Sequence, residues 1–507
     1  MTALEEQLLR ELAESRAQNA RLHDLVATLQ ASLATQERSF ADQKEAMDRL
    51  LAQYESLQKQ LFGRKTEKKL PSTQKVTGKK KLKREDVTKE RRARAQAKEE
   101  RTPVCTTQVL VPEEKRTCTK CGCTKLKPLG PGRTQKLLEY VPPSFVYEKA
   151  VLETLACPCG DYIVTAPAPP KPFDQSPYGP KLIAHVITTK LLDAIPHHRL
   201  EKALARQGLH MSRQTMNGLF HRAAEVLEPI AALLVAMVAT SDIVQADETP
   251  QRRQDTKKRA YLWTFLAHLE TAPVIAYRFS ADRSGETPRE LLGESKGFLV
   301  ADQYSGYNPV LSPKSRRRSG CWAHARRKIF ELVDANPVLE ELMEAIHDLY
   351  RVEHRAEALG LLGTAEHLRM RHAESFPVVM RIWRWVRHHG KAYPPRSAVG
   401  AALAYIRGNF RSYMTFLRDP RLPLDNNLSE NKLRGAALIR KNSLFVGHEE
   451  AGKNMATLLT LIATCVANDV NPEAYLADVL VRTQSHPDRQ IHQLLPQNWM
   501  KLVEAAE

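Results

Sequence analysis

Nowhere does this sequence run to about 18 consecutive apolar residues, so no membrane-spanning helix is expected. The opening residues Met1 to Gln7 lack the basic start and continuous apolar core of a secretory signal. Acidic residues are in deficit: 58 Asp and Glu stand against 76 Lys and Arg, a formal charge of +18 that points to a polyanionic partner. Cysteines are few and uneven. Of eight, six fall between Cys105 and Cys159, which excludes a dispersed disulfide framework. A reduced, cytoplasmic protein with a metal site fits this pattern, and with a polyanionic partner it is expected to be nucleoid-associated. A chain of 507 residues predicts two to four domains.

Residues 1–62 carry heptads. One apolar set is Leu12, Asn19, Val26, Leu33, Phe40, Met47, Tyr54 and Leu61; its companion includes Leu8, Leu22, Leu29, Leu50 and Leu57. Leucine at d with one Asn at a favours a parallel two-stranded coiled coil. A lone helix lying on the protein's own body is the alternative. Residues 63–101 are a charge-dense linker, with Lys79-Lys80-Lys81 and Arg91-Arg92, too poor in apolar residues to fold alone. It is either solvated chain or a phosphate-contacting arm.

Within 102–166, Cys118 and Cys121 form one close pair and Cys157 and Cys159 another. Two such pairs predict a tetrahedral Zn²⁺ site in a small zinc-ribbon-like module. The second pair is tighter than usual, so Cys123 is an alternative ligand. The runs Lys136–Val141 and Phe145–Leu152 between the pairs read as strands. The Pro-rich stretch 166–180 reads as an extended connector.

Residues 180–240 read as helical. A helix from Leu200 stops at Gly208, and Ser212 caps a second beginning at Arg213. This is helix-turn-helix spacing, with Arg213, Gln214 and Asn217 placed to reach base edges. An ordinary helix pair would look the same.

From Ser241 the apolar period changes. Ile243–Ala246 reads as a buried strand that ends at Asp247, with a turn at Thr249-Pro250. Gly297–Ala301 repeats the pattern and delivers Asp302. A hairpin over Ala260–Leu269 and Pro273–Ser280 and a helix over Thr287–Leu292 lie between them. A strand near Ser319 leads into a helix from Ala323. Residues 331–418 read as an all-helical insertion. Asp425–Asn427 then cap a helix that carries Glu430 one turn inside. Two strand-end aspartates and a helical glutamate suit two Mg²⁺ (or Mn²⁺) ions about 4 Å apart in phosphoryl transfer. Arg434, Arg440 and Lys441 follow on the same helix as candidate phosphate contacts.

These elements give a multidomain α+β chain: coiled coil (1–62), linker (63–101), zinc module (102–166), helical DNA-binding region (167–240), ribonuclease H-like core (241–330 and 419–448) interrupted by a helical insertion (331–418), and a helical tail (449–507). The motifs Ala246-Asp-Glu-Thr-Pro250, Cys321-Trp-Ala-His-Ala-Arg-Arg-Lys328, Asp425-Asn-Asn427 with Glu430, and Arg440-Lys-Asn442 stand beside the cysteine module and the tail motif Asn498-Trp499. Together they resemble the large transposase of the insertion sequence 66 family. The resemblance implies a DDE-type transposase with Asp247, Asp302 and Glu430 as its triad. It implies double-stranded DNA as partner, both terminal inverted repeats and target, and two small accessory proteins. His324 and Arg327 fall in the second motif and are expected near the DNA. Holding two ends at once predicts at least a homodimer. A non-catalytic DNA-binding protein or repressor, and a nuclease of RNA–DNA hybrids, are the competing functions.

Overall fold

The computed structural model describes residues 145–156, 163–174, 176–268 and 272–504, together with Gln18, Arg21 and Thr28. The heptads, the basic linker and Cys118, Cys121, Cys123, Cys157 and Cys159 lie outside the described residues.

A short antiparallel hairpin comes first, β1 (Thr154–Ala156) with β2 (Ile163–Thr165). Phe145–Leu152, expected as a strand, has no strand pairing among the described residues; β-forming composition needs a partner edge before it becomes a strand. Helix α1 (Pro180–Leu191) starts on a proline at its first position, where the missing N–H costs nothing. Helix α2 (His197–Arg206) ends before Gly208, whose φ of +89° suits glycine.

The expected second helix of the pair is far longer than the ten residues of a recognition helix. Helix α3 runs unbroken over Arg213–Thr240, capped by the Ser212 hydroxyl, which accepts from Thr215 N at 3.1 Å. It is long and apolar enough to cross a membrane by length and composition. Its apolar side, from Met216 through Leu227 to Val238, is instead buried in the protein core.

The central sheet has five strands in the order β5-β4-β3-β6-β7. These are β3 (Ile243–Arg252), β4 (Arg259–His268), β5 (Pro273–Ser280), β6 (Gly297–Ala301) and β7 (Arg316–Gly320). The first three form an antiparallel meander; β6 and β7 run parallel to β3. Helix α4 (Glu286–Leu292) crosses from β5 to β6. One expectation fails here. β3 does not turn at Thr249-Pro250 but continues to Arg252, in register with β4 throughout. The parallel pairing with β6 stops at Gln245–Val300. Beyond that point β3 has one open edge, and an open edge is where a strand tolerates proline.

Helices cover both faces. Helix α5 (Trp322–Val333) leads into α6 (Leu339–Ala358), α7 (Ala365–Met370), a π-turn (Arg371–Ser375), α8 (Phe376–His389), α9 (Ala398–Gly408) and α10 (Phe410–Tyr413). Then come α11 (Asn427–Ser443), α12 (Glu449–Ala467), α13 (Pro472–Arg482) and α14 (Pro496–Glu504). The large core runs without a break from α1–α3 through β3–β6 to α11–α13 and Trp499. No gap in it marks the boundary expected at 240/241. Gly452 lets α12 lie directly on β5: a Cβ there would stand 2.4 Å from the Phe279 ring. A second core joins Ile243 and Val300 of the sheet to α5, α6, α8 and α9, so the helical insertion is rooted on the sheet.

Arg371 is the deepest cation of that insertion, 1% exposed at the π-turn. Its Nε and Nη2 donate to Glu353 at 2.9 and 2.6 Å, and its other donors reach the carbonyls of Phe416, Asp419 and Leu422. A buried guanidinium needs this many acceptors. The result fastens the segment that leads into α11.

Candidate active site at the end of the parallel strands

Three chain segments are tied together by one residue. Asn426, 1% exposed, precedes α11. Its Nδ2 donates to the carbonyl of Ala246 at 2.7 Å, and its backbone N–H donates to Cys321 Sγ at 3.2 Å. Trp322 N donates to Leu424 O at 3.2 Å nearby. The start of α11 is thus pinned to β3 one residue before Asp247, and to the start of α5. Each bond satisfies a group that burial would otherwise penalise by about 1–3 kcal/mol.

Around this knot the acidic groups gather. Asp247 sits on β3 where β6 has just ended, and Asp302 follows the last residue of β6. Asp302 Oδ1 accepts from Tyr304 N at 2.8 Å, which fixes the turn after the strand. Glu430 lies in the first turn of α11. Burial pushes the Asp247 carboxyl up to about 8; the adjacent Glu248 charge adds to this, then Glu430 and Asp302. The three carboxylates named from sequence therefore share one field, and a cation is what that field attracts.

Glu430 has a particular surrounding. His324 Nδ1 stands 3.5 Å from its Oε1, and Arg327 Nη2 donates to its Oε2 at 3.3 Å. Ligand atoms of Cys321, His324 and Glu430 lie within 4.8 Å of one another. Neither Glu430 Oε1 nor His324 Nδ1 has a hydrogen-bond partner among the described residues, although both atoms are buried. Cys321 is fully buried, and burial pushes its thiol up to about 12, which favours its observed role as a neutral acceptor for Asn426. An orphaned carboxylate oxygen beside two further carboxylates is a donor set that fits a divalent ion.

Glu248 points away from Asp247, as alternation along a strand requires. Its nearly buried carboxylate accepts from Tyr307 Oη at 2.6 Å and from Arg283 Nε at 2.8 Å. Burial raises its pKa, and Tyr307 and Arg283 oppose that rise. This buttress under the Asp247 segment was not anticipated. The only hint was that Glu follows Asp in Ala246-Asp-Glu-Thr-Pro250, and Arg283 and Tyr307 carry no local signal.

The expected DNA contacts are placed unequally. Arg213, Gln214 and Asn217 are exposed at the start of α3, with Arg213 Nε 3.2 Å from Glu201 of α2. Arg327 is exposed beside Glu430; Arg434 and Lys441 are exposed along α11. Arg440 turns inward: its Nη1 donates to Pro250 O at 2.6 Å and to Thr249 Oγ1 at 3.1 Å. The open edge of β3 offers those acceptors, so Arg440 braces the strand.

The family pattern described as Transposase IS66 family matches residues 175–454, which spans the sheet, the helical insertion and all three carboxylates. The chain is a member of the IS66 transposase family. The IS66 C-terminal element matches residues 460–497, within the helices that cover β5. The zinc-finger binding domain of transposase IS66 matches residues 115–160, so this transposase carries a structural zinc module. Curated relatives match it over about three quarters of its length. The uncharacterized protein y4hP of Sinorhizobium fredii is 30% identical over 417 residues, 77% of this chain and 75% of that one. The uncharacterized protein y4qI from the same organism is 28% identical over 414 residues, 77% of this chain and 75% of its own. A third, y4jD, is 27% identical over 411 residues, 77% and 80% of the two chains. Membership makes the chain a DNA transposase, so DNA is its partner.

Proposed function

We propose that this transposase cuts DNA at its element's ends and joins them to target DNA through Asp247, Asp302 and Glu430, a DDE triad on a ribonuclease H-like core. The strand order, with two parallel strands appended to an antiparallel meander, supports the fold assignment. One observation carries the site. Asp247 is held up to about 8 by burial and by its acidic neighbours, Glu430 and Asp302 among them, while a buried oxygen of Glu430 has no hydrogen-bond partner among the described residues.

Asp247, Asp302 and Glu430 would hold two Mg²⁺ or Mn²⁺ ions. Divalent ions bound there supply Lewis acidity and charge neutralisation for in-line phosphoryl transfer. The protein's own contribution is placement. β3 and β6 fix the two aspartates on a rigid sheet, and the Asn426 bonds set the distance of α11 from them. Arg327 shares Glu430 and is exposed enough to meet a phosphate as the strand enters. His324 orients the same carboxylate from the other side.

Asp247→Asn, Asp302→Asn and Glu430→Gln are each expected to abolish strand transfer while leaving end binding intact. Strand transfer surviving in any one of them removes that residue from the triad. The structural zinc is assigned to Cys118, Cys121, Cys157 and Cys159. Pairing of two ends is assigned to a parallel coiled coil of residues 1–62, in line with the heptads. A chain lacking 1–62 would then lose paired-end complexes far more than single-end binding.

A further inference from the structure

Between Glu374 and Asp419 the chain carries eight Lys and Arg and no Asp or Glu. This acid-free stretch spans the last half of the helical insertion and ends at Arg418, ahead of the helix that carries Glu430. Helix α8 places Phe376, Met380, Trp383 and Arg387 at intervals of four, three and four, which is one helical face. The Phe410–Arg418 segment lies along that face. Trp383 stacks on Phe410 with ring centroids 4.4 Å apart, and Arg387 lies over Trp383 at 5.7 Å. At the other end, Phe376, Arg411, Met414, Leu417, Arg418 and His372 line a cleft of about 610 Å³.

The three arginines of this strip make no ion pair among the described residues. That contrasts with Arg381 on the same helix, which is paired to Asp348. Phe376 is 44% exposed at the cleft mouth, a large ring kept in water at the first position of a helix. His372 Nε2 is held by Leu417 O at 2.8 Å, which fixes the cleft wall. Unpaired cations in a row, interleaved with an open aromatic ring, match the way proteins hold unstacked nucleic-acid strands: phosphates on the cations, a base on the ring. A duplex would offer its phosphates but no free base face.

We propose that the groove between α8 and the Phe410–Arg418 segment is a binding site for an unpaired DNA strand, with phosphates on Arg387, Arg411 and Arg418 and a base on Phe376. The proposal does not rest on the triad, and its test needs no catalysis.

The full-length protein would be titrated, with chelator present, against a labelled 15-nucleotide dT strand and a 20-base-pair duplex of arbitrary sequence. Replacing Arg387, Arg411 and Arg418 together by Gln should lower the slope of log affinity against log salt by about 2 on the single strand, at about 0.7 per lost phosphate contact. Phe376→Leu should weaken the single strand by about fivefold or more, in keeping with the loss of one stacked base, and the duplex by less than twofold. Unchanged single-strand binding overturns the proposal, and so does an equal loss on the duplex, which would make the strip a general electrostatic surface. A strand bearing 5-iodouracil, irradiated with the unaltered protein, should crosslink within the peptide that contains Phe376. Adducts found only elsewhere overturn the assignment without recourse to any variant.

Discussion

Replacing Asp247 by Asn should make the metal-free transposase more stable, and the magnitude follows from its surroundings. The ordinary carboxyl ionises at 3.8, and in the folded protein Asp247 is pushed up to about 8. The sign follows from proton uptake. Between those two pH values the unfolded chain has lost the proton and the folded chain keeps it, so stability falls as pH rises from about 4 to 8. At 1.36 kcal/mol per unit the ceiling is about 5 kcal/mol, and partial solvent access reduces this to roughly 2 kcal/mol. Asn cannot ionise and escapes the penalty. In EDTA at pH 7.5 the variant should melt about 2–5 °C above the natural protein by scanning fluorimetry. At pH 4.5 the difference should shrink toward zero. Mn²⁺ should then raise the natural protein by several degrees, since a ligand at 100 times its Kd adds about 2.7 kcal/mol, and should raise the variant much less. A variant that melts at or below the natural protein in EDTA at pH 7.5 would refute the reasoning, as would a difference that persists undiminished at pH 4.5.

Arg371→Met should lower the melting temperature by far more than any surface arginine, because Glu353 would be left buried without its partner; about 3–5 kcal/mol is expected, read by thermal denaturation. His197 is held down to about 3 by burial, with Lys190 and His221 adding to the effect. The unfolded chain binds a proton there below about 6.5 and the folded chain does not, so stability falls as pH drops from 6.5 toward 3. His197→Gln should flatten that acid limb in denaturant titrations at pH 5 against pH 7. Cys157→Ser should release the zinc, counted at about one ion per chain by metal analysis; unchanged zinc would move the ligand to Cys123 or a histidine.

Local patterns carried much of this architecture. An apolar run ending in Asp identifies β6 and the position of Asp302 to the residue. The hairpin of β4 and β5 was plain from apolar runs with a break between them. Where the reading failed, a non-local partner had overridden a local signal. Pro250 reads as a breaker, yet β4 holds β3 straight through it, and the proline's carbonyl points to the other edge, where Arg440 binds it. The second helix of the pair, read from Arg213, runs on to Thr240 through Gly218 and Pro229, because one side of α3 is buried along its length. Asn426 stands at the N-cap position, as expected, but its side chain does not cap the helix, and the Arg440 side chain, expected at phosphate, has protein partners. Their actual partners, Ala246 and Pro250, lie about 180 and 190 residues away, beyond any window of sequence. Arg371 was invisible for the same reason.

The bond from Asn426 to Ala246 spans 180 residues. Its consequence is temporal. During synthesis at about 5–20 residues per second, Asp247 and Asp302 emerge many seconds before Asn426 and Glu430. Until then the two aspartates stand on a sheet whose remaining wall does not yet exist, and a chain interrupted before residue 425 carries two acidic groups and no third. On the proposed triad, the centre therefore stays incomplete until α11 is made, because the segment that brings its third carboxylate also ties the three segments together.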